Sequence, residues 1–231
     1  MKKLFYILCC SLAVLFTACE KGEPSDKSNG DGSSSVSGVS EGHAYIDLGL
    51  SVKWATCNVG AVSPEDYGDY FAWGETTTKS TYNWSTYKWC EGSYDTQTKY
   101  CKNSDYGIVD NKTILELSDD AANANWGGDW RMPTYADKEE LFTKCTWTWE
   151  QKNGVNGYTV TGPNGNSIFL PAAGYFNDSD LSAAGTLGFY WDSLLTSTYS
   201  YCALALSFGS GGIQWYGDYR YYGRSVRPVL P

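Results

Sequence analysis

Residues 147–170, WTWEQKNGVNGYTVTGPNGNSIFL, contain three short stretches rich in aromatic and β-branched residues, separated by turn residues. The first turn holds Asn153-Gly154 and Asn156-Gly157, and the second holds Pro163-Asn164-Gly165. Such sequences favour the tight turns of hairpins. The stretch therefore predicts an antiparallel meander with strands at 147–150, 158–161 and 167–170.

A helix is predicted directly before this meander. Pro133 precedes Thr134, and Asp137 follows three residues later, which is the spacing of a capping box. The apolar face of the helix is predicted to hold Leu141, Phe142 and Cys145.

Further short strands and a second helix are predicted outside the meander. Residues 44–50 and 52–55 read as short strands. Ser118 is predicted as the N-cap of a brief helix through Ala124, because acidic residues occupy its first turn. Short strands and helices joined by long loops predict an α+β fold.

The N-terminus has the layout of an export signal over residues 1–18: two lysines, an apolar run and small residues before Cys19. Residues 15–19, LFTAC, resemble a bacterial lipobox, which implies a lipidated Cys19 that anchors the protein to a membrane. Ordinary cleavage that leaves Cys19 as a free thiol is the alternative. Residues 19–42 are predicted as the lipidated cysteine with a flexible Gly/Ser linker, and 43–231 as one domain.

The chain of 231 residues carries a net charge of −9. This charge repels polyanions, so nucleic acid and anionic membrane surfaces are excluded as partners. Membrane contact is expected through the lipid anchor alone, and the expected location is the cell envelope, at the outer membrane and facing either the periplasm or the exterior.

Few residues are suited to catalysis or metal binding. His43 is the single histidine, and the mature chain has no Cys-x-x-Cys motif or phosphate-binding loop. We therefore predict no enzyme activity, no cofactor and no metal. A carbohydrate-active enzyme stays open as an alternative because carboxylate pairs need no histidine. Disulfide pairing stays open among five cysteines: Cys57, Cys90, Cys101, Cys145 and Cys202.

Residues 189–223 are rich in Tyr, Ser and Gly, a composition shared with antibody binding loops. Trp215-Tyr216 and Tyr221-Tyr222 are adjacent pairs, so in an extended chain one member of each faces outward. Trp191 and residues 203–206 are expected in the interior instead. Arg224 and Arg227 are interpreted as structural hydrogen-bond donors, with a role as ligand clamps left open.

Several motifs resemble the Fibrobacter succinogenes major paralogous domain family, common in exported proteins of gut bacteria. They are AYIDLGLSVKWATCNVGA (44–61), YGDYFAWGE (67–75), WGGDWRMPT (126–134), GPNGNSIFLPAAGY (162–175), GFYWDS (188–193) and GRSVRPV (223–229). The resemblance implies a C-type-lectin-like fold with small antiparallel sheets, about two short helices and long loops. It also implies that a strand at 52–55 pairs with one at 226–229.

The C-terminal motifs also resemble the variable proteins of diversity-generating retroelements, in which adenine mutation varies surface residues between fixed framework residues. The candidate ligand-binding residues chosen on this basis and on the aromatic composition are Asp192, Tyr199, Tyr201, Ser210, Trp215, Tyr216, Asp218, Tyr219, Tyr221 and Tyr222. The Glu-Pro-Asn and Trp-Asn-Asp motifs of calcium-dependent lectins are not present, which argues against a calcium-bridged sugar site.

The sequence thus predicts a lipid-anchored binding protein or adhesin that recognises an extracellular protein or glycan through an aromatic C-terminal face. A receptor diversified by a retroelement is one form of this prediction. A structural surface or fimbria-associated subunit is the alternative.

Overall fold

The structure is a computed structural model that describes residues 37–231. The export signal and Cys19 lie outside the described residues. Strand and bridge residues make up 38% of this part of the chain and helical residues 11%. The predicted α+β, C-type-lectin-like class is therefore wrong, and the protein is mostly β. The helices are too short to form a layer of their own, whereas antiparallel pairing builds four small sheets.

The elements follow one another along the chain within residues 37–231. They are β1 (Ser37–Ser40), β2 (His43–Ile46), β3 (Lys53–Ala55), α1 (Ala121–Trp126), α2 (Tyr135–Lys144), β4 (Thr146–Lys152), β5 (Val155–Thr161), β6 (Ser167–Pro171), β7 (Tyr175–Asn177), β8 (Asp180–Ser182), β9 (Leu187–Leu195), β10 (Cys202–Gly209), β11 (Gly212–Tyr219) and β12 (Val229–Leu230). No helix among these residues has the length and apolar composition needed to cross a bilayer.

The first sheet joins the two ends of the described chain in the order β1-β2-β3-β12. Val229 of β12 pairs with Trp54 of β3, so the C-terminal strand forms an edge of this sheet. The family resemblance implied a last strand at 226–229, whereas β12 begins only at Val229. β1 lies inside the segment predicted as flexible linker. It pairs with β2 across Glu41 and Gly42, which both have positive φ as a tight hairpin turn requires.

The central meander is confirmed as the sheet β4-β5-β6. Asn153 and Gly154 form a two-residue turn with φ of 48° and 83°, and Lys152 pairs with Val155 across it. The prediction of a turn at Asn156-Gly157 was wrong. Both residues lie in β5 because the tight turn at Asn153 already reverses the chain.

The helix before the meander is also confirmed. Thr134 caps α2, with both hydrogen bonds of the capping box to Asp137. Leu141 is buried, but Phe142 is exposed and does not share its face, because neighbouring residues of a helix point about 100° apart. Asp120, not the predicted Ser118, caps α1 by accepting from two backbone N–H groups.

The C-terminal sheet, in the order β11-β10-β9, has core on both faces. Trp191 packs on one face with Ala203 and Ala205, as predicted for interior residues. Tyr190 and Phe208 pack on the other face, toward α2 and the meander. The two faces thus anchor the sheet firmly and hold the ends of its strands in place.

Residues 56–120 run as long loops without an α-helix or a ladder strand. Isolated bridges attach them to the rest of the fold, including Phe71 to Arg224 and Ile114 to Leu194. Buried rings fix them further, since Trp73 is fully buried and donates its indole N–H to the carbonyl of Asp192 at 2.8 Å. These loops therefore lie against the C-terminal sheet.

Candidate functional site

Six tyrosine rings gather on one surface of the molecule, called here the tyrosine surface: Tyr94, Tyr106, Tyr199, Tyr201, Tyr219 and Tyr221. Tyr201 lies at the centre, with ring centroids 5.2 Å from Tyr94, 4.9 Å from Tyr106 and 5.2 Å from Tyr199. Tyr219 continues the surface at 6.0 Å from Tyr201 and 5.6 Å from Tyr221.

These rings are accessible to water. Tyr94 is 48% exposed, Tyr199 44% and Tyr219 40%, while the remaining three are half-buried. Partial burial raises the pKa of Tyr201 and Tyr221 above the usual phenol value. The hydroxyls of these two residues therefore stay neutral at physiological pH and can both donate and accept hydrogen bonds.

Arg220 connects the segments that carry the rings. Its buried guanidinium donates to the carbonyl oxygens of Ser200 at 2.9 Å, Tyr100 at 3.3 Å and Lys99 at 3.0 Å. Its Nε donates to the Tyr87 hydroxyl at 2.8 Å. Because Ser200 lies between Tyr199 and Tyr201, the Arg220 side chain holds the loop that presents both rings.

A second aromatic cluster lies around Arg224. The guanidinium carbon is 4.8 Å from the Phe189 ring centroid, 4.4 Å from that of Trp191 and 5.8 Å from that of Tyr216. Asp218 forms its ion pair. Nε and Nη1 of Arg224 are buried and have no hydrogen-bond partner within the described chain, so the rings and Asp218 compensate the buried charge.

A groove of about 480 Å³ lies beside this cluster, at the end of the sheet where β10 turns into β11. Its lining includes Phe189, Gln214 and Tyr216, together with Ser207 and glycines 209, 211 and 212. Ser210 is exposed in the two-residue turn next to the groove. Tyr216 is 43% exposed and thus available from the groove.

Trp215 lies apart from both clusters. Successive side chains of a strand point to opposite faces of the sheet, so Trp215 and Tyr216 lie on different faces. The Trp215 ring packs against Tyr135 of α2, with ring centroids 4.7 Å apart. Tyr222 is half-buried between two rings, with centroids 4.5 Å from Tyr221 in a tilted contact and 5.3 Å from Tyr175 in an edge-to-face contact. The candidates from the sequence therefore divide into separate surface regions.

Asp192 does not reach the surface. It is fully buried in β9, where one oxygen accepts from the Leu194 N–H at 3.1 Å and the other has no partner in the described residues. Burial raises the pKa of its carboxyl well above the usual range. The nearby Lys138 of α2, also buried, donates to the carbonyls of Tyr190 and Trp191 at 2.7 and 2.6 Å. Asp192 is thus part of the interior and is unavailable to a ligand in this conformation.

Arg227 acts as a structural donor, as interpreted from the sequence. Its buried guanidinium donates to Asn58 Oδ1 and to the carbonyls of Ala55, Thr56 and Phe169 at 2.7–3.1 Å. Arg224 is equally buried, which removes both arginines from direct contact with solvent.

Within residues 37–231 no three His, Cys, Asp or Glu side chains come together as a metal site. Four thiols in this range are free: Cys90, Cys101, Cys145 and Cys202. A disulfide between Cys90 and Cys101, one of the pairings left open, is therefore not formed.

Tyr94, Tyr106 and Trp84 were not among the candidates from the sequence. Tyr94 and Tyr106 belong to the tyrosine surface, and Trp84 borders it at 4.9 Å from Tyr221. All three lie in the long loops, where no periodicity indicates which side chains are exposed. The only available signal was the frequency of aromatic residues between positions 82 and 106.

Residues 143–229 match the model of a family described as a domain of unknown function (DUF8237). The match runs from the end of α2 to β12 and includes Tyr199, Tyr201, Tyr219 and Tyr221. It leaves out the loops that carry Tyr94 and Tyr106. Neither a curated protein nor a solved structure matches the chain.

Proposed function

We propose that this protein binds an extracellular protein or glycan through the tyrosine surface and does not transform its ligand. The observation that carries the proposal is the convergence of Tyr94, Tyr106, Tyr201 and Tyr219 from three separate parts of the chain, with centroids 4.9–6.0 Å apart. A contiguous set of accessible rings is typical of an interaction surface.

Tyrosine suits this role for physical reasons. Each ring offers a large contact area with few rotatable bonds, and its hydroxyl adds a hydrogen bond at the rim. The rings can pack against apolar groups of a protein or against the C–H faces of a sugar. The high acidity of the whole chain, with a net charge of −9, favours a neutral or basic ligand.

Hydrogen bonds from two basic side chains hold the loop that presents Tyr199 and Tyr201. Arg220 ties Ser200 to Lys99 and Tyr100. Lys102 also donates to the carbonyls of Thr196 and Ser197, at 3.0 and 2.8 Å, and so holds the same loop from the other side. A preorganised surface loses less conformational entropy when its ligand binds.

A binding screen tests the proposal. The native protein is applied to arrays of extracellular glycans and cell-surface proteins, and the double variant Tyr199→Ala/Tyr201→Ala is compared with it. We expect at least a tenfold loss of affinity for any ligand found, because central aromatic anchors dominate binding. Phe142→Ala, an exposed ring on α2, is the matched control and keeps full affinity. Equal binding by the double variant contradicts the site.

The proposal includes a lipid anchor at Cys19 and a location in the cell envelope. It rests on the resemblance of residues 15–19 to a lipobox, and these residues lie outside the described structure. Expression in bacteria fed a labelled fatty acid tests it: the label enters the native chain and is lost in Cys19→Ser. Unlabelled native protein contradicts the anchor but leaves the tyrosine surface as the binding site.

A further inference from the structure

β11 is an edge strand of the C-terminal sheet. Within residues 37–231 it pairs with β10 alone, whereas the opposite edge strand, β9, is bridged by Ser225 and Ile114. Edge strands expose N–H and C=O groups that pair readily with another strand. The backbone donors and acceptors of β11, and its side chains, therefore determine which strand can pair with it.

The direction of its backbone groups follows from one hydrogen bond. Arg220 N–H donates to the carbonyl of Tyr201, which makes these residues a hydrogen-bonded pair at the end of the β10–β11 ladder. Hydrogen-bonded and non-hydrogen-bonded pairs alternate in an antiparallel ladder. The even-numbered residues of β11 thus face β10, and the odd-numbered residues turn their backbone groups outward.

Four residues of β11 turn their backbone groups outward, and three of them have groups without a partner in the described chain. Tyr219 is the exception: its N–H donates to Asp218 Oδ1 at 2.8 Å, and its carbonyl accepts from Tyr222. Ile213, Trp215 and Gly217 have no outward backbone hydrogen bond among residues 37–231. Each can therefore offer one donor and one acceptor to an added strand.

The edge also lacks the usual protection. Natural edge strands carry lysine, proline or a short length that prevents pairing. β4, the edge of the meander, carries the Glu150–Lys152 ion pair. β11 extends over eight residues without lysine or proline, and its one charged residue, Asp218, is neutralised by Arg224.

We infer that β11 pairs with β11 of a second copy of this chain, in an antiparallel dimer whose two-fold axis passes at Trp215. This arrangement joins two three-stranded sheets into one sheet of six strands. It does not depend on a ligand at the tyrosine surface.

The register follows from the free groups. With Trp215 opposite Trp215 of the second copy, Ile213 lies opposite Gly217, and all of the unused donors and acceptors are paired in about six hydrogen bonds. The two tryptophans form an aromatic cross-strand pair, which stabilises antiparallel sheets.

Charge is consistent with the same register. Asp218 lies opposite Gly212, so the two carboxylates do not face each other. The net charge of −9 on each copy opposes association, and salt screens such repulsion. The dimer is therefore expected to strengthen as salt rises.

The first test is the mass of the purified protein at about 100 µM by light scattering and sedimentation. Twice the chain mass is expected, with the dimer fraction rising between low and high salt. A monomer under all these conditions overturns self-pairing and leaves the edge for a strand of another protein.

Cysteine cross-linking tests the register. Gln214 and Tyr216 face each other across the proposed interface as a non-hydrogen-bonded pair, with Cα atoms about 4.5 Å apart, which suits a disulfide. Gln214→Cys mixed with Tyr216→Cys is expected to give a dimer on a non-reducing gel that disappears with reductant. Each variant alone, and the native protein with its own thiols, is expected to give at least fivefold less cross-linked dimer than the mixture. Equal cross-linking by the single variants, or no cross-link in the mixture, overturns the arrangement.

Discussion

The buried guanidinium of Arg220 donates a hydrogen bond to the carbonyl oxygen of Ser200 at 2.9 Å. Arg220 separates Tyr219 from Tyr221, and Ser200 separates Tyr199 from Tyr201. This hydrogen bond adds a side-chain link between the two C-terminal segments of the tyrosine surface, which the β10–β11 ladder also pairs. The bonds from Arg220 to Lys99 and Tyr100 attach the long loop as well.

Arg220→Lys is expected to weaken both stability and binding. The ammonium of lysine cannot reach four acceptors in a fixed fork, so buried carbonyls lose their donors at about 1–3 kcal/mol each. We expect a loss of about 3 kcal/mol in the free energy of unfolding, measured in urea, and weaker ligand binding although every tyrosine remains. A variant with native stability and binding shows that the guanidinium does not hold this surface.

The ion pair of Asp218 with Arg224 provides a second prediction. Asp218→Asn leaves a fully buried guanidinium without its carboxylate, and breaking such a pair costs about 3 kcal/mol. Denaturation in urea measures this loss. Asp180→Asn, at an exposed position in β8, is the control and changes the free energy of unfolding by less than about 0.5 kcal/mol. Equal effects of the two variants contradict a role for the pair.

Glu140 predicts a dependence of stability on pH. Its carboxylate accepts from Lys144 at 2.7 Å and from the Ser51 hydroxyl at 2.5 Å and N–H at 2.8 Å. These hydrogen bonds, that from Lys144 first, lower its pKa from 4.5 to about 2. A lowered folded-state pKa means that the stabilisation is complete above pH 4.5 and is lost as the pH falls toward 2. The free energy of unfolding of the native protein should exceed that of Glu140→Gln by about 1 kcal/mol at pH 7, and by much less at pH 2.5.

The neighbouring Glu139 is the control for this prediction. It is exposed, with one long hydrogen bond of 3.4 Å from Tyr135. Glu139→Gln should therefore show a small and nearly constant difference from the native protein over the same pH range. A constant difference for Glu140→Gln as well excludes the stabilising role of its ionised form.

Substitution by alanine should destabilise the protein at Gly188 of β9 but have little effect at Gly211, in the turn between β10 and β11. A Cβ at Gly188 would lie 2.2 Å from Cζ of the buried Phe208 ring, whereas a Cβ at Gly211 meets nothing within 4 Å. Overpacking costs about 1–3 kcal/mol. Gly188→Ala should lower the thermal midpoint clearly while Gly211→Ala leaves it nearly unchanged, and similar midpoints would show that Phe208 can move.

The sequence predicted elements with strong local signals. The turn residues Asn153-Gly154 and the capping box of Thr134 with Asp137 specify their conformations through neighbouring atoms, so both were confirmed. The fold class was wrong because the number of strands depends on pairing between distant residues. β1 shows this, since its Gly/Ser-rich sequence favours a linker and its pairing with β2 makes it a strand.

The candidate residues show the same division. Composition identified Tyr199, Tyr201, Tyr219 and Tyr221 because tyrosine is frequent near the C-terminus. It also selected Asp192, which the fold buries. It omitted Tyr94 and Tyr106 because aromatic residues in an irregular loop give no period from which exposure can be read.

The sequence by itself determined the turn at Asn153-Gly154, the capped helix and the abundance of tyrosine, because these depend on the chemistry of adjacent residues. Only the tertiary structure decided that rings more than one hundred positions apart meet on one surface. Buried Arg220 links the segments that carry these rings through hydrogen bonds to backbone carbonyl groups. Because every residue has a carbonyl group, no pattern of side chains in the sequence predicts this contact.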